Sequence, residues 1–147
     1  MSDSQHVWAS RLVVAATSLF LVGAVTGILI PTAVDDPDKE VFARLVASHL
    51  NAILGCFWLL GLAWTLPRLQ LSGGQVKALC LMTMLSAWAN WGVTLAKAYM
   101  GHSALDWGAG GGNGALWIAL VSTVVLPTLG AALLWALGAW KGRVSAS

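Results

Sequence analysis

Hydrophobic residues in this chain run in long unbroken blocks instead of the alternating or one-sided patterns of soluble strands and helices. Four stretches free of charge, Leu12 to Ile30, Leu45 to Leu66, Ala78 to Ala96 and Ala115 to Trp140, occupy most of it. At about 1.5 Å rise per residue each is long enough to cross the roughly 30 Å hydrocarbon core of a bilayer. Backbone polar groups in lipid must be satisfied within the segment, so each stretch predicts a helix. The expected architecture is an all-α integral membrane protein. It is a bundle of four transmembrane helices at approximately 10–30, 42–66, 76–100 and 115–140, in a single domain over residues 1–147.

Punctuation between the blocks agrees with this division. Pro31 closes the first helix, Pro67 the second, and Ser72-Gly73-Gly74 turns the chain into the third. Pro127 falls inside the fourth block, where it removes a hydrogen bond and predicts a bend. Gly23 and Gly27 make a small-xxx-small pair, and Ser48, Ala52 and Cys56 repeat that spacing on the second helix, so these faces allow close helix approach. Between the third and fourth helices lies Gly108-Ala109-Gly110-Gly111-Gly112-Asn113-Gly114. A linker, a lid over a membrane site and a close-packing surface all suit it, and with no strand before it, it is not a phosphate loop.

Composition sharpens the class. The chain is 58% apolar and 10% charged with a mean hydropathy of +0.76, and no polar stretch is long enough to fold separately. Arg11, Arg68, Lys77, Lys141 and Arg143 fall on the side shared by the N-terminus, the middle loop and the C-terminus. The other side has Lys39, Arg44 and Lys97 with Asp35, Asp36, Asp38, Glu40 and Asp106, so the positive-inside rule predicts that both termini are cytoplasmic. The net charge of +2 points to no nucleic-acid partner. The first helix reads as a retained signal-anchor, its apolar run being too long for a signal peptide. Cys56 and Cys80 lie inside spans at different depths, as small packing residues and not as a disulfide.

Polar residues within the blocks carry the candidate chemistry. Thr83, Ser86, Asn90, Thr94 and Lys97 are spaced to share one face of the third helix, which must look into the bundle, a neighbouring subunit or water. Hydrogen-bonding glue between helices is the plain explanation, at around 0.6 kcal/mol per contact. On the second helix, His49 lies roughly 12 Å and, on the antiparallel third helix, Asn90 roughly 15 Å below the same boundary, so they can meet at one depth. Asn51 points about 160° away from His49 on the helical wheel, so one of the two faces the bundle and the other a different helix or subunit. An ionisable residue inside a membrane is a functional candidate, and neutral imidazole ligates haem iron or zinc; a histidine bonded to a carbonyl or to Asn90 is the alternative. Companions for a tetrahedral zinc site are lacking, and His6 and His102 lie near the interfaces, which disfavours a bis-histidine haem. Of the nine tryptophans, Trp8, Trp64, Trp135 and Trp140 suit the inner interfacial belt and Trp107 and Trp117 the outer one. Trp58, Trp88 and Trp91 are deeper, as core filling or as the walls of a flat aromatic pocket beside His49 and Asn90.

These stretches resemble the hydroxylaminobenzene mutase and styrene oxide isomerase family of small four-helix membrane enzymes. The resemblance rests on Leu19-Phe20-Leu21-Val22-Gly23, Thr26-Gly27-Ile28-Leu29-Ile30-Pro31, Ala47-Ser48-His49-Leu50, Trp88-Ala89-Asn90-Trp91, the glycine-rich loop and Ala119-Leu120-Val121-Ser122. Ala89-Asn90-Trp91 followed by Thr94 and the glycine run is more similar to the mutase branch. The family's asparagine six residues after the histidine is Gly55 here, and the epoxide branch's third-helix Asp and Tyr are Ser86 and Thr94.

The resemblance implies haem b at subunit interfaces, ligated through its iron by His49, in a homo-oligomer that is a trimer in the epoxide branch. It carries over onto His49 and Asn90. Asn90 and Thr94 are the expected catalytic residues, and Trp88, Trp91, Ser86 and Asn51, placed near them on the two helices, the expected substrate-binding residues, with a small aromatic substrate arriving through the lipid bilayer. Ferric haem would act as a Lewis acid in converting an arylhydroxylamine to an aminophenol, or in the epoxide branch an epoxide to a carbonyl. The implied setting is the bacterial inner membrane. A four-helix transport or accessory subunit is the alternative from another class. The absence of Asp or Glu inside any span argues against a proton-coupled carrier, and the lack of a second intramembrane histidine against an electron-transfer cytochrome.

Overall fold

The computed structural model describes residues 3–34, 39–103 and 111–144. Asp35, Asp36, Asp38, Asp106, Trp107 and the glycines at 108 and 110 lie outside the described residues. All elements among the described residues are helical: α1 (Asp3–Leu29), α2 (Lys39–Thr65), α3 (Gly73–Met100), α4 (Gly111–Leu120) and α5 (Leu126–Val144). With their flanking turns they form four helices long and apolar enough to cross a membrane, α4 and α5 sharing the fourth.

Helix ends follow local chemistry. Tight 3-10 turns at Ile30–Ala33 and Leu66–Arg68, each with a proline in its first turn, terminate α1 and α2. Ser72 caps α3 in a capping box: its hydroxyl accepts from Gln75 N while Gln75 Oε1 accepts from Ser72 N. α3 ends on Gly101 at φ 68°, the left-handed conformation that favours glycine. The disturbance expected at Pro127 takes the form of a π-helical turn, Val121–Val125, in which Leu126 N–H reaches back to Val121 O. A proline ring clashes with the carbonyl four residues earlier, and a widened turn relieves that clash.

α1 begins well before the apolar block, because its polar first turns are tied down by packing and not by hydropathy. Gln5 is buried and its amide donates to the carbonyls of Leu66 and Leu69 at 3.2 and 3.1 Å, while Gln70 N donates to Gly138 O at 3.2 Å. These bonds bring both ends of the chain to the middle loop.

α1 packs on α2, α2 on α3, and α3 also touches α1 and both halves of the fourth span. Leu12, Leu19, Leu59, Leu62, Leu66, Val76 and Leu79 are fully buried, so the apolar core lies mainly toward the end with the chain termini. The small-residue face works by contact: a Cβ on Gly23 would lie 2.7 Å from Ala52 Cβ. Cys56 and Cys80 are buried and free. Arg11 stacks over Trp8 and Arg68 over Trp64, at 4.8 and 5.4 Å, both at the end of the bundle that holds the chain termini.

Candidate active site

Polar residues of α2 and α3 form two groups on different sides of α2. The first centres on Asn51, whose amide nitrogen donates to Thr94 Oγ1 at 2.9 Å and to Asn90 Oδ1 at 3.5 Å. Thr94 spends its one proton on Asn90 O at 2.7 Å, so its oxygen must accept, and this settles which end of the Asn51 amide faces it. Asn51 Oδ1 and the Asn90 amino group are left with no partner among the described residues. Ser86 donates to Thr83 O at 3.1 Å and Thr83 to Leu79 O at 2.8 Å, so both hydroxyls bond within α3.

A cleft of about 240 Å³ opens beside this group. Asn51, Leu54, Gly55 and Trp58 of α2 line it with Ser86, Ala87 and Asn90 of α3, and Val124 and Thr128 of the fourth span close it. The π-helical turn therefore contributes Val124 to the cleft wall, where irregular helix geometry often accompanies a site. The walls are mostly apolar with a few convergent amides and hydroxyls, the usual composition of a small-molecule site.

His49 turns the other way, toward α1. Its Nδ1 lies 2.7 Å from Gly23 O, which as a carbonyl oxygen can only accept, so Nδ1 carries the proton and Nε2 the lone pair. Nε2 has no partner among the described residues. The ring lies over Gly27, where a Cβ would be 3.0 Å from both Cε1 and Nδ1. The Gly23 and Gly27 pair thus seats the imidazole as well as the neighbouring helix. Among the described residues no three His, Cys, Asp or Glu side chains cluster as a metal cage.

The aromatic residues divide differently from the flat-pocket reading. Trp91 Nε1 donates to Thr26 Oγ1 at 3.0 Å, Thr26 donates to Val22 O at 2.8 Å, and Trp91 O accepts from Ser48 at 3.2 Å. Trp88 stacks edge-on against Trp91, with centroids 6.0 Å apart at 88°. Neither lines the cleft. Asn90 faces it, and residues one ahead and two behind on a helix point about 100° and 160° away. Trp58, the third of the deep tryptophans, does line it, two turns along from Asn51 on the same helix face. Applied forward from Asn51, the i, i+3, i+4, i+7 rule marks Leu54, Gly55 and Trp58, and so joins the deep tryptophan to the polar face.

Comparison with known proteins bears on this geometry. The sequence model of a family described as styrene oxide isomerase matches residues 8–140. Hydroxylaminobenzene mutase HabB of Ectopseudomonas oleovorans is 33% identical over 103 residues, covering 70% of this chain and 55% of its own length. The chain therefore spans about half the length of the curated relative it matches. No solved structure matches it.

Proposed function

Because the chain belongs to the styrene oxide isomerase family, we propose that it is a membrane-embedded isomerase of small aromatic molecules. In this reading it follows the mutase branch, moving the hydroxyl of an arylhydroxylamine from nitrogen to the ring to give an aminophenol. Opening of an aryl epoxide to a carbonyl is the second reaction within the same reading. Both rearrange atoms inside one molecule, so neither needs an electron donor or acceptor.

The observation that carries the reading is the state of His49. A proton held on Nδ1 by Gly23 O and a free lone pair on Nε2 is the arrangement in which imidazole ligates a metal, and glycine at position 27 leaves room for the ring. This donor set fits haem b held through one imidazole, and bound ferric haem would supply a Lewis acid toward a substrate lone pair. The remaining work falls to side chains of the cleft. Asn90 presents a free amino group to the migrating oxygen, and Asn51 presents Oδ1 to the substrate N–H. Thr94 holds the Asn51 amide in that orientation, as Ser86, bonded within α3, holds part of the wall. Leu54, Ala87 and Val124 keep water away while the hydroxyl is between atoms.

His49 and the cleft face opposite sides of α2, so the reading requires a homo-oligomer in which His49 of one copy stands beside the cleft of the next. A trimer follows by resemblance. In the same reading the bundle sits in the bacterial inner membrane with both termini cytoplasmic, supported by the excess of Lys and Arg at that end.

The test is purification in detergent after expression with haem supply, with absorption spectra and assays on hydroxylaminobenzene and styrene oxide for the wild type and His49→Ala. A Soret band and isomerisation, both lost in His49→Ala, are expected. A folded His49→Ala protein that keeps the band would overturn the ligand assignment. Haem-loaded wild type that rearranges neither compound would overturn the isomerase.

A further inference from the structure

Trp58 carries the one buried side-chain nitrogen or oxygen among the described residues that has no hydrogen-bond partner, its indole Nε1. By contrast, the indole N–H of Trp91 is spent on Thr26 Oγ1. Buried donors are nearly always paired, so an orphan asks for an explanation. Trp58 also lines the cleft, with Nε1 itself closed off from it, so the indole must turn for that nitrogen to reach the space. Two independent features, an unfilled space and an unspent donor, thus meet at one residue.

The chemistry of what fills the space follows from its size and walls. A cavity of roughly 150 Å³ with apolar walls holds benzene. At about 240 Å³ the cleft takes one aromatic ring with a short substituent. The substituent must offer an acceptor, since an indole N–H only donates. Because Nε1 is buried, a bond formed there does not replace one already made to bulk water, and the usual cancellation between protein–water and protein–ligand bonds is reduced.

We propose that Trp58 is a substrate-binding residue whose indole turns toward the cleft on binding, so that its N–H donates to an oxygen on or next to the single aromatic ring bound there. The proposal rests on the reading of this cleft as the substrate's seat. It assigns recognition of the oxygen to two donors, Trp58 Nε1 and the Asn90 amino group, approaching from different helices. An arene that lacks the oxygen fills the same space but leaves Trp58 unpaired.

Two ligands of nearly the same shape test this: acetophenone, with a carbonyl oxygen, and α-methylstyrene, with a CH₂ in its place. Full-length protein labelled with ¹⁵N-tryptophan is titrated with each in detergent, and the indole N–H resonances are followed. One resonance, absent from Trp58→Phe, is expected to move downfield with acetophenone and not with α-methylstyrene. Acetophenone should bind Trp58→Phe about tenfold more weakly, and α-methylstyrene about equally well. Should Trp58→Phe not fold, the wild-type spectrum alone decides: one indole resonance selective for acetophenone supports the proposal, and none overturns it. Binding of both ligands with no selective shift would remove Trp58 from recognition and leave the cleft reading intact. If neither ligand binds, or if Ala87→Phe, which fills the cleft, leaves both affinities unchanged, the cleft is not the seat and the proposal falls with it.

Discussion

His49 Nδ1 lies 2.7 Å from the carbonyl oxygen of Gly23, on the side of α2 away from Asn51. One helix therefore serves two places at the same depth. The bond to Gly23 fixes the imidazole tautomer, and His49 does not line the cleft of its own chain. Both consequences can be measured.

Complementation between copies follows from the separation. His49→Ala and Asn90→Ala should each be inactive alone, and co-expression should restore activity, because a mixed oligomer contains junctions with an intact histidine from one copy and an intact cleft from another. Activity of the mixture no greater than that of the separate variants would place both residues in one intrachain site.

Substitution at Gly27 tests the seat of the imidazole. A methyl there stands 3.0 Å from two ring atoms, so Gly27→Ala should displace the ring, weaken the bond to Gly23 O and lower haem retention well below wild type. Gly92→Ala, with nothing within 4 Å of the new methyl, is the matched control and should retain haem normally. Equal haem content in the two variants would contradict the seat.

Close approach of α1 and α2 predicts a stability effect without a direct effect on chemistry. Gly23→Ala forces a methyl to 2.7 Å from Ala52 Cβ, and such overpacking costs about 1–3 kcal/mol. Thermal unfolding in detergent should show the loss, and Gly23→Ala combined with Ala52→Gly should recover much of it.

Asn51 separates helix glue from site chemistry. Lost interhelical hydrogen bonds in membranes average about 0.6 kcal/mol, so Asn51→Ala should unfold only slightly more easily than wild type. If the amide acts on substrate, turnover should fall about a hundredfold, the scale seen when one aligned polar group is removed from a transition state. A variant whose activity falls only in step with its folded fraction would return Asn51 to the role of glue.

Trp91 and Thr26 should behave as a coupled pair. A double-mutant cycle of Trp91→Phe and Thr26→Val, read by unfolding, should give a coupling near the same ~0.6 kcal/mol. Zero coupling would mean that the 3.0 Å contact contributes nothing in the membrane.

The helical class, the number of long apolar helices and most of their limits were already written in the sequence, because apolar runs long enough to cross a membrane leave little choice of backbone. Asn51, Asn90 and Thr94 were legible for the same reason: an amide or hydroxyl in the middle of such a run stands out against its neighbours. The divergence of His49 from Asn51 was also legible, since about 100° per residue is a property of the helix alone.

Which neighbour each face meets depended on the way the helices assemble. Packing of Gly23 on Ala52 put a carbonyl within reach of His49, and no spacing along the second helix contains that information. Depth in an apolar run marks Trp58 only as core or as a pocket wall, and the space beside it together with the unpaired indole N–H decides for the wall. The π-helical turn before Pro127 likewise became part of the cleft only once the fourth span lay against α3. Helix periodicity is local and survives in one dimension, whereas cavities and hydrogen-bond partners arise between segments distant in the chain, and only the packed bundle determines them.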